Sequence, residues 1–180
     1  GSITVTLPQV GSEPAPQIVT IYENDTIASA GKVKSQTYFE GSDTYRMLVN
    51  DWTTANTGVT GPFRVDLFQE RSRIKYGTAL IETRKRYTFD EFGQTKAVFN
   101  YGFSQTHALP SSTDLDTGDN YVVAHSYVRN LAKYIVALPK RKHVQAGTAY
   151  NGNRSEWQVF EEYTYDNAAS IHTEPLHGNV

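Results

Sequence analysis

Short runs of alternating side chains, cut at intervals by polar or glycine-bearing clusters, constrain this chain more than any other feature. The runs are Gln17–Glu23, Lys32–Phe39, Phe63–Gln69, Leu80–Asp90, Gln94–Tyr101, Tyr121–Val128, Lys140–Gln145 and Glu156–Tyr165. Between them lie Glu40-Gly41-Ser42-Asp43, Asn56-Thr57-Gly58, Gly61-Pro62, Pro110–Asn120 and Asn151-Gly152-Asn153. This spacing predicts antiparallel meanders rather than βαβ units, because parallel strands need a long crossover between them. Period-2 alternation supports the reading. Phe63, Val65 and Leu67 share one face, opposite Arg64 and Asp66. Lys85, Tyr87 and Phe89 alternate with Arg86, Thr88 and Asp90, and Ala97, Phe99 and Tyr101 with Lys96, Val98 and Asn100. Trp157, Val159, Tyr163 and Tyr165 line one side of a long final strand. The apolar set is biased the same way, with 12 Tyr and 8 Phe against one Met, since aromatic side chains suit a half-buried pleated surface.

One segment departs from this period. Leu131, Tyr134, Ile135 and Leu138 fall at i, i+3, i+4 and i+7. They read either as a short helix near 130–138, capped by Asn130 and stopped by Pro139, or as an extended connection. The expected fold is therefore all-β, built of antiparallel hairpins in a meander. The expected layout is a flexible leader over residues 1–16 around one apolar stretch, Ile3 to Leu7, then a β domain over 17–168 and a tail over 169–180. Gly1-Ser2 reads as an expression scar, which would make the chain a piece of a longer protein.

The most informative local motif is Tyr87-Thr88-Phe89-Asp90-Glu91-Phe92-Gly93-Gln94. Aspartate at the first turn position can accept hydrogen bonds from the amides ahead of it, and glycine three residues later takes φ > 0 without steric cost. The chain then reverses into Lys96–Tyr101, as in a hairpin with a type I turn and a glycine bulge. A second copy, Tyr163-Thr164-Tyr165-Asp166-Asn167-Ala168, keeps aromatic-Thr-aromatic-Asp and loses the glycine. The pair suggests an internal repeat.

At these residues the chain resembles the YD-repeat (Rhs) family, RYTFDEFGQ being a variant of its Tyr-x-Tyr-Asp-x-x-Gly-x unit. GPFRVDLFQ (Gly61–Gln69), ETRKRYTFDEFGQTKAVFNYG (Glu82–Gly102), DNYVVAHSYVRNLAKYIVALPKRKHVQAG (Asp119–Gly147) and FEEYTYD (Phe160–Asp166) are similar to the repeat region of toxin-complex B components and related virulence proteins. In that comparison Leu138-Pro139 is a short connection between two strands. The resemblance implies a non-catalytic, secreted or extracellular β shell whose repeats pack on their neighbours and enclose a toxin polypeptide. Tyr87, Phe89, Asp90 and Gly93, with Tyr163, Tyr165 and Asp166, would carry its architecture. The chain has no Asp-Pro dipeptide, so the self-cleavage motif that ends related shells is not in this piece.

Other chemistry finds little footing. With no cysteine, disulfides and thiolate sites are excluded. A net charge of -2 supplies no field to draw in nucleic acid. No run of about 18 apolar residues exists to span a membrane as a helix. His107, His125, His143, His172 and His177 are scattered without zinc-ligand spacing, and Asp114, Asp116 and Asp119 miss the EF-hand pattern. No metal or cofactor is expected. His125 reads as a core or wall residue, and His172 and His177 fall in the expected tail. Two alternatives stay open. Glu82 with Glu161-Glu162 would be the acids of a glycosidase if they faced one cleft; otherwise they pair with cations such as Arg84, Lys85 and Arg86. Trp52, Tyr150 and Trp157 would be the stacking platform of a carbohydrate-binding module; otherwise they are core or loop anchors. Lys140-Arg141-Lys142-His143 reads as a solvated edge strand.

Overall fold

The computed structural model describes residues 1–9, 11–24, 29–55, 64–76, 79–106, 118–148, 152–166, 168 and 170–177. Tyr150, His107, the turn clusters at 56–58 and 61–62, Asn167, and the loop at 110–117 with Asp114 and Asp116 lie outside the described residues.

The chain is an all-β antiparallel meander. Its ten strands are β1 (Ser2–Thr6), β2 (Gln17–Tyr22), β3 (Val33–Glu40), β4 (Asp43–Ala55), β5 (Arg64–Tyr76), β6 (Ala79–Phe89), β7 (Thr95–Thr106), β8 (Tyr121–Asn130), β9 (Ile135–Ala146) and β10 (Trp157–Glu162). They lie in one sheet in strict chain order. Among the described residues helix is confined to two single 3-10 turns, Leu131–Lys133 and Arg154–Glu156.

The helical reading of 130–138 thus shrinks to one turn. Asn130 does cap it, its side chain accepting from the Lys133 amide. The turn ends at Tyr134 rather than at Pro139, because Tyr134 adopts a left-handed conformation (φ 57°) and Ile135 already begins β9. Leu138-Pro139 is not a connection between strands. It lies inside β9, where Tyr127 pairs with Pro139 and Ser126 with Arg141, leaving Lys140 as the extra residue of a bulge. A bulge tolerates the missing proline N–H that a regular ladder would need.

Contacts divide the chain into two units. The first comprises Gly1–Arg86 and Tyr101–Thr117, and the second Tyr87–Asn100 and Gly118–Val180. In the first unit the described buried side chains are all polar: Ser29, Ser35, Thr37, Asn50, Asp66, Glu82 and Arg84. Register explains the grouping. Thr37, Met47, Arg73 and Glu82 form one cross-strand row, and Ser35, Val49, Arg71 and Arg84 the next. Directly paired residues share a face of the sheet, so the two rows place three arginines beside one glutamate. Arg73 Nε donates to Glu82 at 2.6 Å and Arg84 Nη2 at 3.3 Å, while Arg71 reaches Asp51 at 3.1 Å.

The second unit has the apolar core. Ala97 pairs with Ala124 and Phe99 with Val122. Val122 is fully buried, and Ala97, Ala124, Val128 and Tyr165 are nearly so. The same face continues through Gln145 and His143 on β9 to Trp157 and Phe160 on β10. The end of the chain is pinned over its described part rather than loose. Pro175 is fully buried, and its carbonyl accepts from Asn130 Nδ2 at 3.0 Å. The stretch expected as leader likewise contains β1, which pairs with β2 along its whole length.

Candidate functional site

The corner between β6 and β7 is built by its own sequence. Asp90 Oδ1 accepts from the amides of Phe92 and Gln94, both at 2.9 Å. The Gly93 amide donates to the Asp90 carbonyl at 3.1 Å, and the Asp90 amide to the Gln94 carbonyl at 2.9 Å. Gly93 sits at φ 82°, a region that costs any residue with a Cβ. Upstream, Tyr87 and Phe89 project from the same face of β6 and stack at 6.5 Å with their planes 18° apart.

Arg129 on β8 locks this corner from outside. Its guanidinium pairs with Asp90 Oδ2 and, at 3.2 Å, with Glu91, and lies 4.3 Å from the centre of the Phe92 ring. On the same strand the Tyr127 hydroxyl donates to the Thr95 carbonyl at 2.9 Å. Burial and the nearby Asp90 charge both raise the Tyr127 phenol above its usual value. Neither clamp was legible from the motif, since both come from a strand more than thirty residues downstream. Gly93→Val should lower stability by about 1 kcal/mol or more through the lost left-handed turn. A thermal midpoint equal to that of the parent chain would contradict this geometry.

The second copy does something different. β10 ends at Glu162, and among the described residues no strand follows Asp166. Where the first copy has its glycine three residues on, this one has alanine, and Asp166 itself takes the left-handed conformation (φ 55°), which aspartate tolerates better than most residues. Its carboxylate accepts from the Leu176 and His177 amides and so pins the end of the chain. Tyr165 is buried, its hydroxyl donating to the Pro139 carbonyl at 2.5 Å, and burial raises its phenol above the ordinary value. The Tyr163 amide donates to the Lys140 carbonyl at 3.0 Å, and its hydroxyl to Glu161 at 2.7 Å. Both aspartates therefore capture two backbone amides, one set local and one ten or eleven residues away.

The candidate acids are engaged as ion-pair partners. Glu82 is 2 % exposed and held between Arg73 and Arg84; of the expected cations only Arg84 is one of its partners. In the second unit Glu162 meets Arg141 at 2.8 Å and Arg154 at 3.6 Å, and Glu161 meets Lys142 at 3.7 Å. The basic run lies on β9, which has a strand on each side, so it is not an edge. Lys140 approaches His172 Nδ1 at 2.8 Å. His143 is buried and stacks on Trp157 with centroids 4.0 Å apart.

The candidate aromatic platforms are also engaged. The Trp52 indole donates to the Val33 carbonyl at 2.8 Å, with Lys32 Nζ 5.4 Å from its ring centre. Trp157 carries the His143 stack and has the Arg141 and Arg154 guanidiniums 5.1 and 5.8 Å from its centre. Among the described residues no group of three or more His, Asp or Glu is placed to hold a metal, and no helix is long and apolar enough to cross a membrane.

The buried histidine makes stability pH-dependent. Burial, then Arg141 and His125, lower the His143 pKa below 6.5; burial and Lys142 lower that of His125, against a smaller opposing pull from Glu161. The folded unit therefore resists protonation that the unfolded chain accepts near 6.5. This contribution is whole above that value and is lost as pH falls through the lowered ones. The thermal midpoint should drop between about pH 7 and about pH 5, and His143→Phe should flatten the drop. An equal slope in both proteins would contradict the assignment.

No family model and no curated protein matches this chain.

Proposed function

We propose that this chain is a non-catalytic structural segment of a secreted β shell of the YD-repeat type, packed on neighbouring repeats and on a polypeptide that the shell surrounds. The observation that carries the reading is a meander in strict chain order that folds back at Asp90–Gly93. The way its apolar surface is distributed agrees with such a role. The described part of the first unit buries polar side chains only, as expected of a repeat that leans on its neighbours to shelter its apolar ones.

The sheet edge supports the same reading. β1 is exposed throughout and carries neither charge nor proline, with Ile3 54 % and Val5 49 % exposed. An edge without those safeguards is a template for another strand. Purification of the protein together with its flanking sequence tests the proposal. The expected result is further YD units and a polypeptide that resists protease until the shell is unfolded. A flank without such units and without a protected polypeptide would overturn it.

A further inference from the structure

The β8–β9 hairpin ends in a tip that the rest of the second unit leaves in water. Leu131, Ala132, Lys133 and Tyr134 are all exposed, Leu131 by 58 % and Tyr134 by 92 %. Tyr134 takes the left-handed conformation (φ 57°), which glycine adopts readily and a residue with a Cβ does not. The strained residue thus holds its ring away from the protein rather than against it.

Exposed apolar side chains flank this tip on both faces of the sheet. Arg129 and Asn130 are consecutive on β8 and so point to opposite faces. On one side the Arg129 guanidinium lies 4.3 Å from the centre of the exposed Phe92 ring. On the other, Asn130 Nδ2 donates to the Pro175 carbonyl at 3.0 Å, and exposed Leu176 follows directly. Phe92, Leu131, Tyr134 and Leu176 therefore gather at one end of the second unit, around a turn and not in a groove.

A turn that enters an apolar medium must satisfy its own backbone. Here the Lys133 amide donates to Asn130 Oδ1 at 3.2 Å and the Tyr134 amide to the Leu131 carbonyl at 3.1 Å. A tyrosine, with an apolar ring and a polar hydroxyl, suits the headgroup level of a bilayer, and a neighbouring lysine can extend its ammonium to lipid phosphate. Three carboxylates at this end are already engaged, Asp90 and Glu91 by Arg129 and Asp166 by the Leu176 and His177 amides. Glu174, exposed beside Pro175, opposes Lys133, so any preference for anionic lipid is modest. Apolar groups on both sides of a turn fit a fluid medium that closes around it, whereas a protein groove would meet one side.

We propose that the β8–β9 tip docks on a lipid bilayer surface, with Leu131 and Tyr134 at the headgroup level between Phe92 and Leu176, and Lys133 at the lipid phosphates. This goes beyond the shell reading and stands without it.

Sedimentation with lipid vesicles is the test, using pure phosphatidylcholine and an equal mixture with phosphatidylserine. The parent chain should bind both, and the mixture more tightly by up to about fivefold. Lys133→Gln should abolish the difference between the two vesicles. Tyr134→Gly removes the ring and relieves the left-handed strain, so its thermal midpoint should equal or exceed the parent's. Combined with Leu131→Ser, it should weaken binding to both vesicles roughly tenfold. Failure of the parent chain to sediment with either vesicle would overturn the proposal, as would undiminished binding by the double variant. Self-association of the parent chain that the double variant loses, without vesicle binding, would make the tip a protein contact instead.

Discussion

Glu82→Ala should destabilise the first unit by about 3–5 kcal/mol, the cost of leaving buried charges without their counter-ion. Arg73 and Arg84 both turn on this carboxylate. Their side chains are only 19 % and 9 % exposed, so water cannot take over its role. Glu82→Gln keeps the shape and an acceptor oxygen but removes the charge, and should lose less than alanine does. Thr83→Ala, at an exposed neighbour, should change the unfolding free energy by no more than about 0.5 kcal/mol. Urea unfolding of the three variants separates these cases. A Glu82→Ala protein as stable as its parent would mean that the carboxylate is not the keystone of the arginine rows.

Val122→Asp should be equally severe in the second unit. Val122 is completely buried on the face it shares with Phe99 and Gln145. An aspartate there is either charged without a partner or neutral through a raised pKa, and each state costs several kcal/mol. The matched control is Val159→Asp at a position 56 % exposed on β10. Near-ultraviolet circular dichroism, to which the packed Trp157 and Tyr165 contribute beside the other aromatics, should lose part of its signal in the first variant and keep it whole in the second. Retention of the signal in Val122→Asp would place the core elsewhere.

These residues also mark where sequence reasoning stops. The Asp90–Gly93 corner is legible because its chemistry is local: an aspartate, the amides just ahead of it, and a glycine that can turn left-handed. Alternation located most strands for the same reason. β4 escaped because its period is broken near its start by Tyr45, the extra residue of a bulge; a second bulge faces Asp51–Trp52 but lies on β5, where Phe68 is the extra residue. A bulge moves every later side chain to the other face, so a strand of mixed character looks like loop.

The same effect ended the alternation read over Trp157–Tyr165. Gln158 is the extra residue there, and Val159 is left exposed. The buried polar rows were hidden by a different cause. Serine, threonine, arginine and glutamate at every second position read as a solvent face, and only cross-strand register reveals that they meet one another. Arg129 and the tail amides held by Asp166 are partners from distant sequence, which no local pattern announces.

Amide hydrogen exchange on the outermost strands tests most directly whether this meander depends on neighbours. In the chain as it stands, the amides of β1 and β10 that face away from β2 and β9 should exchange freely, while the interior ladders β4–β5 and β8–β9 stay protected. In a protein that carries adjoining repeats, as the proposal requires, the same outer amides should slow by roughly tenfold or more as neighbouring strands cover them. Unchanged exchange at both edges in the longer protein would contradict the account.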